Sequence, residues 1–165
     1  MAAKKKMVEA EVQETVSAKP KKVVIKDDTP VRVFNNTTGS ISFKNAKGVW
    51  KRMSHRGFAD VTFADLEFLY IETPRILTSG SVYIAWQPVR EKLGLDYSNI
   101  FALKDIENIL ELPEGQLLAK VHNAPRSLQI EVAQYLIENA DKYRLNVIRT
   151  VEQATKISIL DIVQQ

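Results

Sequence analysis

The spacing of apolar residues changes part-way along this chain, and that change most limits the folds open to it. Between residues 30 and 62, apolar and polar residues alternate in short runs that are separated by turn sequences at 35–39, 45–48 and 54–57. A period of two is typical of half-buried strands. From about residue 100, apolar residues recur every three or four positions, as on one face of a helix. The sequence therefore predicts an α+β fold with its strands and helices in separate parts.

The strand-like runs indicate a small antiparallel β-meander or a partly open barrel. The runs lie at 31–34, 40–44, 49–53 and 58–61, each followed by a short turn or a helix signal. Short strands joined by tight turns favour pairing between neighbours in the chain. A later alternating run at 81–86 is expected to return to the same sheet.

Helix signals follow the strands. Thr62 and Asp65 form a capping box that predicts a helix beginning at residue 63 and stopping before Pro74. A second short helix is predicted over 88–93. The later apolar stripes are Leu103, Ile106, Ile109 and Leu110; Leu117, Leu118 and Val121; Leu128, Val132, Tyr135 and Leu136; Leu145, Ile148 and Val151; and a last turn at 159–163. Connections of two to six residues favour antiparallel helix neighbours.

These patterns divide the chain into three regions. Residues 1–29, here called the arm, have no sustained period. We expect a β-rich domain with one or two short helices at 30–96, and a helical region packed on it at 97–165. Two interpretations of the arm stay open, a flexible tail or a segment that orders on a neighbouring subunit. The candidate arm contacts are Lys4, Lys5, Lys6, Lys21, Lys22, Val23, Val24 and Ile25.

Charge is unevenly distributed along the chain, although the formal net charge is only +3. Residues 31–57 carry six Lys and Arg and no acid, whereas residues 58–165 carry more acids than bases. A basic block on an acidic body favours an anionic partner or a complementary neighbouring subunit. The alternative is a solvated face that keeps the domain soluble. The candidate contacts in the block are Arg32, Lys44, Lys47, Lys51, Arg52, His55 and Arg56.

Aromatic residues interleave with these cations, an arrangement that can hold phosphates and stack bases. The same aromatic side chains cannot both stack on nucleic acid and fill a core. We therefore interpret four apolar residues as core or subunit contacts, namely Ile41, Phe43, Val49 and Trp50. Nucleic-acid binding then depends on charge alone.

Catalytic motifs are missing from the sequence. With no Cys there is no disulfide, thiolate zinc site or Cys nucleophile, and two His leave little room for an imidazole metal site. No phosphate-binding glycine motif and no G-x-S-x-G elbow occurs. Carboxylates such as Asp105 and Glu107 diverge on a helix. We therefore expect no enzyme activity, no metal and no cofactor.

The whole layout resembles small accessory structural proteins of tailed bacteriophages, the capsid-, neck- or tail-associated kind. The resemblance covers the Lys-rich arm, the strands at 31–39, the helix start at 61–67, the return strand at 77–84 and the helical half. It gives no single residue a role.

This resemblance implies a non-enzymatic virion component that contacts other virion proteins, or copies of itself, through its arm and basic β-region. Such a protein is made in the host cytoplasm and is not secreted, and the sequence has neither a signal peptide nor an apolar run long enough for a membrane span. We therefore expect no membrane partner. The alternative function is a nucleic-acid-binding module that uses residues 31–57.

Overall fold

The strands form two small antiparallel sheets in a computed structural model that describes residues 24–163. One sheet has three strands in the order β4-β1-β5, and the other is the β2–β3 hairpin. The strands are β1 (Pro30–Asn35), β2 (Ile41–Lys44), β3 (Trp50–Met53), β4 (Phe58–Thr62) and β5 (Val82–Ile84). The α+β class is confirmed, and β5 returns to the earlier sheet as predicted. Among residues 24–163, pairing in chain order, as in a meander, occurs only between β2 and β3.

Two consecutive asparagines explain why β1 does not fold back on β2. Asn35 and Asn36 are buried at the end of β1, although the sequence pattern placed both of them in a turn. The Asn35 amide nitrogen donates to the carbonyls of Gly39 at 2.6 Å and Ser54 at 2.7 Å. These bonds anchor the turn and the β3–β4 connection on β1. Both edges of β1 therefore pair with other strands, one with β4 and one with β5.

Helix α1 (Phe63–Glu72) follows β4 without a linker, because Thr62 caps it as the sequence predicts. The Thr62 hydroxyl accepts from the Asp65 N–H at 3.2 Å, and the Asp65 carboxylate accepts from the Thr62 N–H at 3.0 Å. A five-residue helix, α2 (Pro74–Thr78), then begins at the proline that was expected only to stop α1. Proline is tolerated there because the first turn of a helix needs no N–H donor from it.

The helices of the second half match the apolar stripes of the sequence. They are α3 (Gln87–Lys92), α4 (Ile106–Leu110), α5 (Glu114–His122), α6 (Arg126–Glu138), α7 (Leu145–Thr155) and α8 (Ile159–Val163). Short 3-10 turns precede α4 and α7. Helix α7 packs on α5 and α6, and α6 also contacts α8. No helix within residues 24–163 is both long and apolar enough to cross a membrane.

Sheet and helices share one hydrophobic core. Val33 and Ile84 from the three-stranded sheet belong to the same buried cluster as Leu117 and Val132 from the helices. Asn36 joins the two parts through polar bonds. Its amide nitrogen donates to the Phe101 carbonyl at 2.7 Å, and its oxygen accepts from the Leu103 N–H at 3.0 Å. The hairpin belongs to the same unit, since Phe43 and Met53 lie in this buried cluster.

Candidate interaction surface

The outer face of the β2–β3 hairpin presents an exposed tryptophan between cations. The hairpin register places Ser42 opposite Arg52 and Lys44 opposite Trp50, and all four residues are exposed. The other face points inward, since Phe43 and Met53 are almost completely buried. Trp50 is 65% exposed, which is unusual for the largest apolar side chain.

The cations beside Trp50 have no salt-bridge partner within the described part of the chain. Lys44 lies with its ammonium 5.2 Å from the centre of the Trp50 ring. None of Lys44, Lys47 and Arg52 forms a salt bridge among residues 24–163. Lys51 differs, because it lies on the inner face and is half-buried. The outer face therefore offers positive charge and an aromatic ring to a partner.

Arg32, another predicted contact, is paired within its own sheet. It lies opposite Asp60 in the β1–β4 register and donates two hydrogen bonds to that carboxylate, at 2.8 and 3.0 Å. Its guanidinium also lies 4.4 Å from the centre of the Phe58 ring. The hydrogen bonds from Arg32 lower the pKa of Asp60 below its ordinary value. Both side chains are about half exposed, so the pair adds little stability but neutralises Arg32.

His55 and Arg56 face the helical half rather than the outer hairpin face. The Glu131 carboxylate of α6 lies 3.6 Å from His55 Nε2 and 3.5 Å from the Arg56 guanidinium. His55 Nδ1 lies 3.0 Å from the Thr37 carbonyl, so both ring nitrogens face acceptors. Glu131 is fully buried, and its Oε1 has no hydrogen-bond partner among the described residues. These two side chains therefore help to join the β3–β4 turn to α6, a role that no sequence motif indicated.

A groove lies between the β2 edge of the hairpin and the pair α1–α2. We call it the hairpin groove; its volume is about 290 Å³. Its walls are Ser42, Phe43, Lys44 and Trp50 from the hairpin, and Phe68, Leu69, Glu72, Thr73 and Ile76 from α1, α2 and the residue between them. The lining is mostly apolar, with one cation on the strand side and one acid on the helix side. No sequence pattern indicated this groove, because one of its walls is α2, a helix that the patterns did not predict.

Of the arm, only its last residues lie in the described part of the chain. Val24 is 75% exposed, while Ile25 packs against the core and its carbonyl accepts from Lys92 Nζ at 2.8 Å. The carbonyls of Asp27 and Thr29 accept from the first N–H groups of α1. The arm therefore leaves the body beside the start of α1. The other predicted arm contacts, Lys4, Lys5, Lys6, Lys21, Lys22 and Val23, lie outside the described residues.

Of the four apolar residues interpreted as core or subunit contacts, Phe43 lies in the core and Val49 and Trp50 do not. Phe43 is 3% exposed and belongs to the core, and Ile41 packs half-buried against it. Val49 and Trp50 are 55% and 65% exposed, so neither fills the core. Contact of these two residues with another subunit stays a prediction.

Within residues 24–163, no three His, Asp or Glu side chains converge as metal ligands would. Comparison of the chain with protein-family models, with curated proteins and with solved structures found no match. The geometry of the hairpin face and of the groove is thus the basis for a functional hypothesis.

Proposed function

We propose that this chain is a non-enzymatic structural protein of an assembly, a bacteriophage virion component associated with capsid, neck or tail. It contacts neighbouring subunits through its arm and its basic β-region. The observation that carries the proposal is the exposed Trp50, held on a hairpin beside an apolar groove. The virion assignment rests on the resemblance of the whole layout.

Trp50 has the surroundings of an interface anchor. Tryptophan and arginine are the side chains most enriched among residues that dominate binding energy. Val49 lies next to Trp50 in the chain, and Arg52 shares its face of the hairpin. Ile71 of α1 is 76% exposed, so a second large apolar side chain is available on a neighbouring element. An apolar centre with a charged rim is the usual anatomy of a protein–protein interface.

The unpaired cations indicate an acidic partner surface. The helical half of this same chain carries exposed acids on α4, at its C-cap and at the start of α5, namely Glu107, Glu111 and Glu114. Contact between the hairpin face of one copy and this acidic surface of another joins two different patches. Such heterologous contacts close into rings when the rotation permits.

Light scattering of the full-length chain over a range of concentrations tests this function. We expect concentration-dependent oligomers, and Trp50→Ala should weaken association at least about thirty-fold, the cost of losing a 2 kcal/mol anchor. Ile162→Ala is the matched control, because Ile162 is 49% exposed on α8, a helix that contributes to neither of the two patches. A chain that stays monomeric, or equal effects of the two variants, would contradict assembly through this face.

A nucleic-acid-binding module is the second candidate. The favouring observation is that Trp50 lies on the outer face with Lys44 and Arg52, free to stack on a base instead of filling the core. Binding to a single-stranded DNA oligonucleotide should weaken steeply with salt, and Lys44→Ala should lower the slope of log K against log salt by about one. Lys142→Ala, in the helical half, should leave the slope unchanged. No binding at low salt would exclude this function.

A further inference from the structure

Strand β2 has an open hydrogen-bonding edge, and that edge faces the hairpin groove. Three consecutive β2 residues, 42–44, line the groove. Consecutive strand residues point to opposite faces, so a cavity that touches all three runs along the edge of the strand. Among residues 24–163, β2 pairs only with β3.

The register identifies which backbone groups point into the groove. The Asn45 N–H donates to the Val49 carbonyl at 2.9 Å, which makes that pair a hydrogen-bonded one. Hydrogen-bonded and non-hydrogen-bonded pairs alternate along an antiparallel ladder. Phe43 therefore bonds to Lys51, while the N–H and C=O of Ser42 and Lys44 point away from β3. An extended segment beside β2 would find these groups as partners.

The two sides of this edge differ in chemistry. Toward the core, an added strand would meet Phe43, together with Phe68 and Ile76 across the groove. Glu72 is the one acid of the lining and lies on the helix side. Toward solvent, it would lie beside Lys44, with Arg52 and Trp50 on the next strand. A matching segment needs small apolar residues at alternate positions and acidic residues between them. Large apolar residues are unsuited to a groove of this size.

One segment of the chain outside the described residues has this pattern. Residues 8–12 read Val-Glu-Ala-Glu-Val, so Val8, Ala10 and Val12 fall on one side of an extended strand, and Glu9 and Glu11 on the other. The longer run 7–16 has three Glu and no Lys or Arg. Its charge therefore opposes that of the outer hairpin face.

The chain between this segment and the body is long enough to reach the groove. Eleven residues separate Val12 from Val24, and an extended chain of that length spans about 36 Å. Val24 lies near the start of α1, and the groove lies along the later turns of that ten-residue helix, which is about 15 Å long. A short tether holds a segment near its site at an effective concentration of about millimolar.

We infer that residues 8–12 of the arm add to the free edge of β2 within the same chain. The valines and Ala10 enter the hairpin groove, and Glu9 and Glu11 lie beside Lys44. This inference goes beyond the proposed function, because it concerns the isolated chain and needs no partner. The same segment of a neighbouring copy would make the same contacts in a swapped arrangement. The monomer with its own residues 8–12 on β2 is then the form from which assembly starts.

Crosslinking of a double-cysteine variant tests the inference, and the absence of native Cys makes the products unambiguous. Ala10→Cys with Ser42→Cys in the full chain is treated with a short bismaleimide at low protein concentration. We expect an intrachain crosslink between the two peptides, identified by mass spectrometry. The control pair is Ala10→Cys with the exposed Ser158→Cys, which lies just before α8 and does not line the groove. Crosslinks only between chains, or equal yields in the two pairs, would overturn the inference.

A charge exchange in the same double-cysteine background tests the orientation of the segment. Lys44→Glu should lower the crosslinking yield about two- to five-fold, and adding Glu9→Lys with Glu11→Lys should restore it. Lys47→Glu makes the same charge change at the exposed hairpin turn, outside the groove, and should lower the yield less. An unchanged yield in Lys44→Glu, or no recovery in the exchanged variant, overturns the placement of the two glutamates. Assembly is measured separately by light scattering. A missing intrachain crosslink would therefore not contradict assembly, and a monomeric chain would not contradict the placement of residues 8–12.

Discussion

The Asp65 carboxylate on α1 accepts a hydrogen bond from the Ala46 N–H in the hairpin turn, at 3.0 Å. The same carboxylate accepts from the Thr62 N–H through its second oxygen. One buried side chain therefore both caps the helix and fixes the hairpin that carries Trp50 beside it. The position of the hairpin groove depends on this link, because its two walls belong to the hairpin and to the helices.

Replacing Asp65 should cost more than replacing its capping partner. Asp65→Ala leaves two backbone donors without an acceptor, and we expect a loss of about 2–4 kcal/mol in the free energy of unfolding. Thr62→Ala removes only the cap acceptor and should cost about 1 kcal/mol. Urea unfolding measures both. Equal losses would mean that the bond to Ala46 contributes nothing.

Gly80 and Gly94 provide a matched pair for the cost of a side chain in the left-handed region. Their φ values are 72° and 67°, so alanine is strained at either site. A Cβ at Gly80 would also collide with the Ile100 side chain, whereas Gly94 has open space. We expect losses of about 2–3 kcal/mol for Gly80→Ala and about 1 kcal/mol for Gly94→Ala. A similar midpoint of thermal unfolding for both variants would contradict the predicted collision.

The buried hydroxyl of Tyr97 should make the fold sensitive to alkali. It donates to the carbonyls of Leu77 at 2.9 Å and Val82 at 3.3 Å, and burial raises its pKa above the ordinary value of 10.0. The pKa of Tyr97 is higher in the folded chain than in the unfolded one. The stability contributed by the protonated hydroxyl is therefore complete below pH 10 and is lost as pH rises toward the folded pKa. Absorbance titration of the phenolate checks this.

Phenylalanine substitutions separate the hydroxyl of Tyr97 from its ring. Tyr97→Phe should cost about 1–2 kcal/mol, since two buried carbonyls lose their donor. Tyr83 stacks on Tyr97 with ring centres 5.3 Å apart and is half-buried, so Tyr83→Phe serves as the control and should cost less. Identical losses would show that the Tyr97 hydroxyl is not bonded in solution.

The pairing of Asp60 with Arg32 predicts an acid titration. The pKa of Asp60 lies below 3.8 because of the hydrogen bonds from Arg32. The small contribution of the pair to folding stability is therefore present above pH 3.8 and is lost as pH falls through the folded pKa of Asp60. Arg32→Ala should bring the pKa back toward 3.8. Carboxyl chemical shifts followed by NMR report the change. An Asp60 titration that is the same in both proteins would show that the pair does not form.

Local signals in the sequence predicted the elements well but not their partners. The capping box of Thr62 and Asp65 and the strand that ends the β-rich part are both confirmed. Turn residues showed where β1 ends, yet the side chains of Asn35 and Asn36 decide what lies beside it. Those bonds reach Ser54 and Phe101, far along the chain, where no local pattern indicates them.

The orientation of β3 was beyond prediction for a different reason. One face of the strand carries Trp50 and Arg52, and the other carries Lys51 and Met53. Each face thus has one apolar residue and one cation, so alternation cannot tell the inner face from the outer one. Packing of Met53 in the core determines which face of β3 points inward. No sequence pattern indicated the role of Glu131 either, because its neighbours His55 and Arg56 lie about 75 positions earlier in the chain.

The three-stranded sheet also bears on how the chain is synthesised. Its central strand, β1, is made first, but Val33 pairs with Ile84 about fifty positions later. A ribosome adding about 5–20 residues per second needs roughly 2–10 s to make the stretch between them. During that interval one edge of β1 is unpaired, and unpaired edges invite association with other chains. Slow translation should therefore lower the yield of soluble protein, and a chaperone acting on the nascent chain should restore it.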